Sequence, residues 1–178
     1  MPHFALTAIG EDQPGIVSAV TEPLARLGCN LEDSSSCILR GHFAVMLILA
    51  APAGLEAAGI AAEISRYTDP LGVIVTVRPL REEAVTASAA PSHLLSVYGA
   101  DRPGIVHGVT QLLFDRGINI TELNTRLVGR AQAPVYAMLM ELALPAGTGS
   151  AELEADLREL AGRLAVDVSL RPLDAEAL

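Results

Sequence analysis

One eight-residue pattern occurs twice in this chain, and it fixes most of what the chain can fold into. Gly10-Glu11-Asp12-Gln13-Pro14-Gly15-Ile16-Val17 returns as Gly99-Ala100-Asp101-Arg102-Pro103-Gly104-Ile105-Val106, an offset of 89 positions from Gly10 to Gly99. The same offset pairs Gly28-Cys29-Asn30-Leu31 with Gly117-Ile118-Asn119-Ile120. Further along, Phe43-Ala44-Val45-Met46 pairs with Tyr136-Ala137-Met138-Leu139 at an offset of 93, and Val77-Arg78-Pro79-Leu80 pairs with Leu170-Arg171-Pro172-Leu173. An insertion of four residues in a loop around Gly129 to Pro134 accounts for the shift. Order-preserving self-similarity of this length is the mark of a duplicated unit. The expected organisation is a first domain over 1–81, a linker over 82–92 and a second domain over 93–178. The linker contains Ala-Ser-Ala-Ala-Pro-Ser and is poor in large apolar residues.

Hydrophobic residues make up 51% of the 178 and charged residues 19%, enough for a buried core in each unit. Aromatics are only 3%, so Leu, Val, Ile and Ala must build that core. The net charge is −9, and no basic run occurs. Such a surface repels phosphate, so direct nucleic-acid binding is not expected. Cys29 and Cys37 lack the C-x-x-C spacing and read as reduced thiols of a cytoplasmic protein. No basic stretch leads into an apolar segment at the start, so no signal peptide is expected. Phe43 to Ala53 is too short an apolar stretch to span a bilayer.

Periodicity gives the elements. Phe4 to Ile9 reads as a strand. Pro14 suits a first helical turn, with Asp12 or Gln13 as cap, and Val17, Val20, Leu24 and Leu27 form a helical stripe. Gly28 falls where a left-handed residue ends that helix. Leu31 to Leu39, a turn at Arg40-Gly41-His42, and Phe43 to Leu49 read as a hairpin. Leu55 to Tyr67 reads as a helix and Val73 to Val77 as a final strand. The second unit repeats the order: strand 94–98, helix 103–116, strands 118–127 and 135–144, a helix striped by Leu153, Leu157, Leu160 and Leu164, and strand 166–170. The order βαββαβ, with right-handed crossovers, predicts an α+β fold of two ferredoxin-like units. Each is a four-stranded antiparallel sheet with two helices on one face. The bare sheet face carries many apolar residues, which favours a covering partner.

At Asp-x-Pro-Gly-Ile-Val followed by Gly-x-Asn-(Leu/Ile), present in both halves, the chain resembles the ACT-domain family, and the resemblance covers nearly the whole chain. It implies βαββαβ modules that bind amino acids and related metabolites and regulate enzymes or transcription. Two such domains and nothing else are similar to the glycine cleavage system transcriptional repressor group, which implies action through a partner transcription factor. Similar domains also precede catalytic domains in formyltetrahydrofolate deformylases and some phosphoserine phosphatases, but the span up to Leu178 is filled by the two repeats, so no catalytic domain is expected within it.

The resemblance places ligand contacts on Asp12, Pro14, Gly15 and Ile16, with Asn30 and Leu31, and on Asp101, Pro103, Gly104 and Ile105, with Asn119 and Ile120. The chemistry is reasonable, because free N–H groups at a helix start favour a carboxylate. The two aspartates could cap the helix or receive an ammonium group, and the asparagines offer both donor and acceptor. The same residues also make a good turn and helix start with no ligand, and the asparagines could serve only local backbone groups. Arg102 stands where the first unit has Gln13, as a carboxylate ligand or a solvated charge; if one unit alone binds, it favours the second.

His3, His42, His93 and His107 are scattered, no metal-ligand pattern occurs, and no nucleophile or phosphate-loop motif is present. The expectation is a non-catalytic regulatory protein without metal or cofactor. It would bind an amino acid or related small molecule and act through a regulatory protein partner, and it could form a homodimer. The alternative is a protein–protein adaptor of the same fold that binds no ligand.

Overall fold

Strict alternation makes the central strand of the first unit. In β1 (His3–Glu11), Phe4, Leu6 and Ala8 are buried, while Ala5 is half-buried and Thr7 and Ile9 are exposed. A strand with this period buries one face only. The structure, a computed structural model, describes residues 1–81, 90–130 and 133–173. Its contacts divide the chain into Met1–Ser88 and Ala89–Leu178. The expected linker, 82–92, lies outside the described residues over 82–89. Ser92 belongs to the strand network of the second unit, where its N–H donates to the Leu142 carbonyl at 2.8 Å.

The first unit continues with α1 (Ile16–Arg26), β2 (Asn30–Leu39), β3 (His42–Ala50), α2 (Ala57–Thr68), a short 3₁₀ turn (Asp69–Leu71) and β4 (Ile74–Pro79). The sheet order is β2-β3-β1-β4, with every neighbour antiparallel. Ile16, Val20 and Leu24 of α1 and Ile60 and Ile64 of α2 join Phe4, Leu6, Val45, Leu47 and Leu49 in one core, so both helices cover one face. Each fully buried Leu or Ile contributes about 1.5–3 kcal/mol. The helices do not reach β2, whose ten residues are all exposed. Arg40 and Gly41 close the β2–β3 hairpin with φ of 48° and 80°, the double left-handed geometry of a two-residue turn matched to strand twist.

The second unit has the same plan: β5 (His93–Gly99), α3 (Ile105–Asp115), β6 (Asn119–Arg130), β7 (Ala133–Ala143), α4 (Ser150–Leu164) and β8 (Val166–Pro172), in sheet order β6-β7-β5-β8. Two ferredoxin-like units are therefore present. The four inserted residues do not form the expected loop. They lengthen the hairpin, adding the pairs Gly129↔Pro134 and Arg130↔Ala133. Residues 131–132 at its tip lie outside the described residues.

The recurring Gly-x-Asn has a backbone cause. Gly28 has φ of 71° and Gly117 has φ of 65°. At the end of α1, the Gly28 N–H donates to the Ala25 carbonyl at 3.1 Å and the Cys29 N–H to the Leu24 carbonyl at 3.0 Å. Gly117 and Ile118 donate likewise to Phe114 and Leu113, both at 2.9 Å. This left-handed glycine cap satisfies the last carbonyls of the helix and turns the chain into the next strand. Gly10 and Gly99 recur for a different reason. A Cβ on Gly10 would lie 2.8 Å from Val73 Cγ2, and one on Gly99 would lie 2.7 Å from Val166 Cγ1.

Pro23 lies inside α1 and is buried. It lacks the N–H that would bond the Ala19 carbonyl, a defect that costs up to about 3 kcal/mol in a helix interior. The equivalent position of α3 is Leu112. Pro23→Ala should raise the unfolding midpoint of the first unit, with a net gain of about 1–2 kcal/mol after loss of ring packing. Thermal denaturation followed by circular dichroism measures it, and a lowered midpoint would contradict this account of the helix.

Candidate functional site

In both units the Asp-x-Pro-Gly segment is a loop joining the central strand to the first helix, and its glycine sets the geometry. Gly15 has φ of 99° and Gly104 has φ of 95°, and each is the residue preceding the first helical one. No side chain caps either helix. This corrects the expectation that Asp12 or Gln13 caps α1. The Gln13 Nε2 instead donates to the Leu71 carbonyl at 2.8 Å. The Asp12 N–H donates to the Gly41 carbonyl at 2.8 Å, tying the loop to the β2–β3 turn. Pro14 and Pro103 stand before the helices rather than in their first turns. The first intrahelical bonds run from the Ala19 N–H to the Gly15 carbonyl and from the Gly108 N–H to the Gly104 carbonyl, both at 2.8 Å. The preceding N–H groups lack intrahelical acceptors and carry partial positive charge.

Asp12, Pro14, Gly15, Asp101, Pro103 and Gly104 are exposed, whereas Ile16 and Ile105 point into the two cores. Asn30 and Asn119 are also exposed, but they lie at the other end of their sheets. Asn30 pairs with Ala50, which pairs with His3, whereas the loop follows Glu11, which pairs with His42. At about 3.3 Å per residue, roughly 25 Å of strand separates Asn30 from the loop. Asn119 is placed likewise, opposite Ala143. One small molecule cannot touch both motif segments of one unit. Arg102 is exposed.

The feature that the motif did not disclose is a cleft between α1 and β2 of about 180 Å³, lined by Val17, Val20, Thr21, Leu31, Ser34, Ser36, Val45 and Leu47. It arises because the helices stop short of the edge strand. Val17 was expected in the buried stripe, but it is 54% exposed and forms a wall of this cleft. The buried face of α1 runs through Ile16, Val20, Pro23 and Leu24 instead. A bulge at Glu32, between Leu31 and Asp33, keeps Leu31, Ser34 and Ser36 on the helix-covered face. The Thr21 Oγ1 donates to the Val17 carbonyl at 2.8 Å and keeps its lone pairs for another donor. Of the sequence-predicted residues, Leu31 alone lines this cleft. Leu31 faces Leu49, which faces Phe4, so it lies on the edge strand near the Asn30 end of the sheet, a position visible only once the strands are paired.

The open face of the first sheet carries a shallow depression lined by Thr7, Ile9, Ser35, Cys37, Ala44 and Met46 among others, of about 400 Å³. In the second unit the corresponding face places Glu122 directly opposite Glu141, with Asn124 donating to Glu122 at 2.6 Å. Among the described residues no group of three or more His, Cys, Asp or Glu side chains could hold a metal. Ser92 Oγ lies 3.0 Å from His93 Nδ1, but that hydroxyl also donates to the Leu142 carbonyl and accepts from the Leu144 N–H, as a strand-end tie. No helix among the described residues is long and apolar enough to cross a membrane.

Two measurements check this geometry. Gly15→Ala should destabilise the first unit by about 1–2 kcal/mol, because an L-residue is strained at positive φ. Asp12→Ala, which removes no cap, should change stability by less than about 0.5 kcal/mol. Urea titration of both variants decides, and a cost for Asp12→Ala near 1 kcal/mol would restore the capping role. The second measurement concerns the thiols. Burial pushes the Cys29 thiol above its ordinary range, whereas Cys37 is exposed on the sheet. At neutral pH less of Cys29 is thiolate, the reactive form. Limiting iodoacetamide should therefore label Cys37 first, as read by peptide mass spectrometry, and equal labelling would contradict the burial of Cys29.

An ACT-domain model matches residues 3–78, and a second ACT-domain model matches residues 93–143. A UPF0237 protein of Methanopyrus kandleri is 37% identical over 79 residues, 44% of this chain and 88% of that protein. The glycine cleavage system transcriptional repressor of Escherichia coli is 29% identical over 128 residues, 70% of this chain; the match spans 64% of the repressor's own length. A crystal structure of a protein of unknown function from Galdieria sulphuraria shares the fold with a TM-score of 0.80 at 24% identity, covering 97% of this chain and 99% of that one. The same repeated junction, sheet order and family match lead to one assignment: the chain belongs to the ACT-domain family and carries two ACT domains in tandem.

Proposed function

We propose that this protein is a non-catalytic regulator that binds an amino acid or a related small metabolite and acts through a protein partner, a transcription factor or a metabolic enzyme. The observation that carries the reading is the cleft between α1 and β2, open beside the start of α1. A ligand carboxylate would rest on the unpaired N–H groups after Gly15, where the helix dipole favours negative charge. The side chain would enter between Val17 of α1 and Ser34 and Ser36 of β2. Asp12, exposed in the same loop, is the nearest motif carboxylate for an ammonium group. Asp101, Pro103, Gly104 and Ile105 build the same junction in the second unit. Asn30, Leu31, Asn119 and Ile120 stand at the far ends of their sheets, so this reading gives them no contact with a ligand group held at the loop of their own unit, and Leu31 lines only the distal end of the cleft.

Similarity to a glycine cleavage system transcriptional repressor supports transcriptional control as the output. A net charge of −9 with twelve Lys and Arg in total disfavours direct contact with DNA, which supports a protein intermediary. Exposed Ile9, Met46 and Ile74 on the bare sheet face and the free edge of β2 offer that partner apolar area and backbone groups.

A thermal-shift series with the common amino acids tests the sensor reading on the full chain. A ligand that binds only the native state stabilises it by about 2.7 kcal/mol at a hundredfold excess over Kd. A rise in midpoint with at least one amino acid is expected. No shift with any of them at millimolar concentration would remove the ligand and leave the adaptor.

A further inference from the structure

We infer that the two units have become unequal, and that the chain binds one ligand, in the cleft of the first unit, with an uncharged side chain of small or medium size. The inference rests on the sensor reading above and adds stoichiometry and ligand class.

The two units can be compared position by position, because strand register fixes the equivalences. Ser34 pairs with Leu47 as Leu123 pairs with Met140, and Ser36 pairs with Val45 as Thr125 pairs with Met138. Leu31 opposite Leu49 corresponds to Ile120 opposite Leu142. The bulge recurs one residue later in both strands, at Glu32 and at Thr121, so the same side chains face the helix. Across the cleft, Val17, Val20 and Thr21 correspond to Val106, Val109 and Thr110. The helix wall is thus the same in both units, and the sheet wall is not. Ser34 becomes Leu123, Ser36 becomes Thr125, Val45 becomes Met138 and Leu47 becomes Met140.

Three of the four changes add volume, and the fourth, leucine to methionine, conserves it. Leucine and methionine side chains fill, in the second unit, space that two serine hydroxymethyl groups and a valine leave open in the first. The exposure of the helix wall differs accordingly: Val106 is half-buried where Val17 is 54% exposed, with Leu123, itself 44% exposed, standing where the first unit has Ser34. The second unit thus offers less open space between α3 and β6 for a ligand.

The open cleft also restricts what enters it. Its lining contains no Lys, Arg, His, Asp or Glu, so a charged side chain would lose hydration without a counter-charge. Three hydroxyls, of Thr21, Ser34 and Ser36, stand among five aliphatic side chains. This suits an aliphatic or hydroxyl-bearing group. At about 180 Å³ the cleft is below the roughly 300–1,000 Å³ of sites for drug-sized ligands, so a small metabolite fits.

Isothermal titration calorimetry of the full chain with glycine, alanine, serine, threonine, valine, leucine, aspartate and lysine tests the inference. One site per chain is expected, for one or more of the six uncharged amino acids and for neither charged one. Ser34→Leu, which gives the first unit the residue of the second, should weaken binding at least tenfold while the midpoint of the free protein stays unchanged. Leu123→Ser combined with Met138→Val should open the second cleft and raise the stoichiometry toward two. Two sites in the unaltered chain, binding of aspartate or lysine alone, or unchanged affinity in Ser34→Leu would each overturn the inference while leaving a sensor. Binding of none of the eight would also overturn the inference, whereas the sensor reading itself falls only if the full thermal-shift series shows no ligand.

Discussion

A single left-handed backbone step, at Gly15 and again at Gly104, governs the layout of each unit. It turns the chain from the central strand into a helix without any side-chain cap, at a φ that an L-residue adopts only under strain. The helix then runs back across the sheet over the central strands and ends in a second left-handed glycine, Gly28 or Gly117. These two fixed turns dictate where the helix lies. They also dictate what it leaves bare, which is the edge strand that follows. The cleft beside β2 is therefore a by-product of helix placement, and its contents are set by whichever residues the edge strand supplies.

Much of the fold was legible in the sequence for physical reasons. Strand alternation at Phe4, Leu6 and Ala8 and the leucine stripe of α4 report burial directly, because one face of each meets the core. The positive-φ glycines are legible because few other residues tolerate those positions. Three features were not. Pro23 sits within a strong apolar pattern, and its cost is hidden by the packing around it. Val17 has the spacing of a core residue but faces a gap that exists only because β2 lies beyond the helix. The insertion near Gly129 reads as a loop, since glycine and proline are breakers, yet the pairing of two long strands carries it as sheet.

The candidate site was legible in part. The repeated Asp-x-Pro-Gly marks a helix start with free donors, and that is what the backbone builds. The Gly-x-Asn segment reads as a partner to it, but antiparallel pairing sends Asn30 to the far end of the sheet. A motif with two halves in sequence need not be one place in space. What distinguishes the two units, serines against leucine and methionine facing the first helix, lies outside both halves of the motif. It can be recognised only through strand register.

The lengthened hairpin of the second unit has a consequence for how such a duplication can drift. Side chains alternate across a sheet with a period of two, so inserting an odd number of residues at a hairpin tip would break the symmetry of its rungs or force a bulge. The four extra residues add two complete rungs, and Leu127 still faces Tyr136 as Ile38 faces Phe43. Growth at this tip is thus quantised in pairs and invisible to the core. It gives the two copies a place to become different in reach and outline while the register of their interiors stays the same.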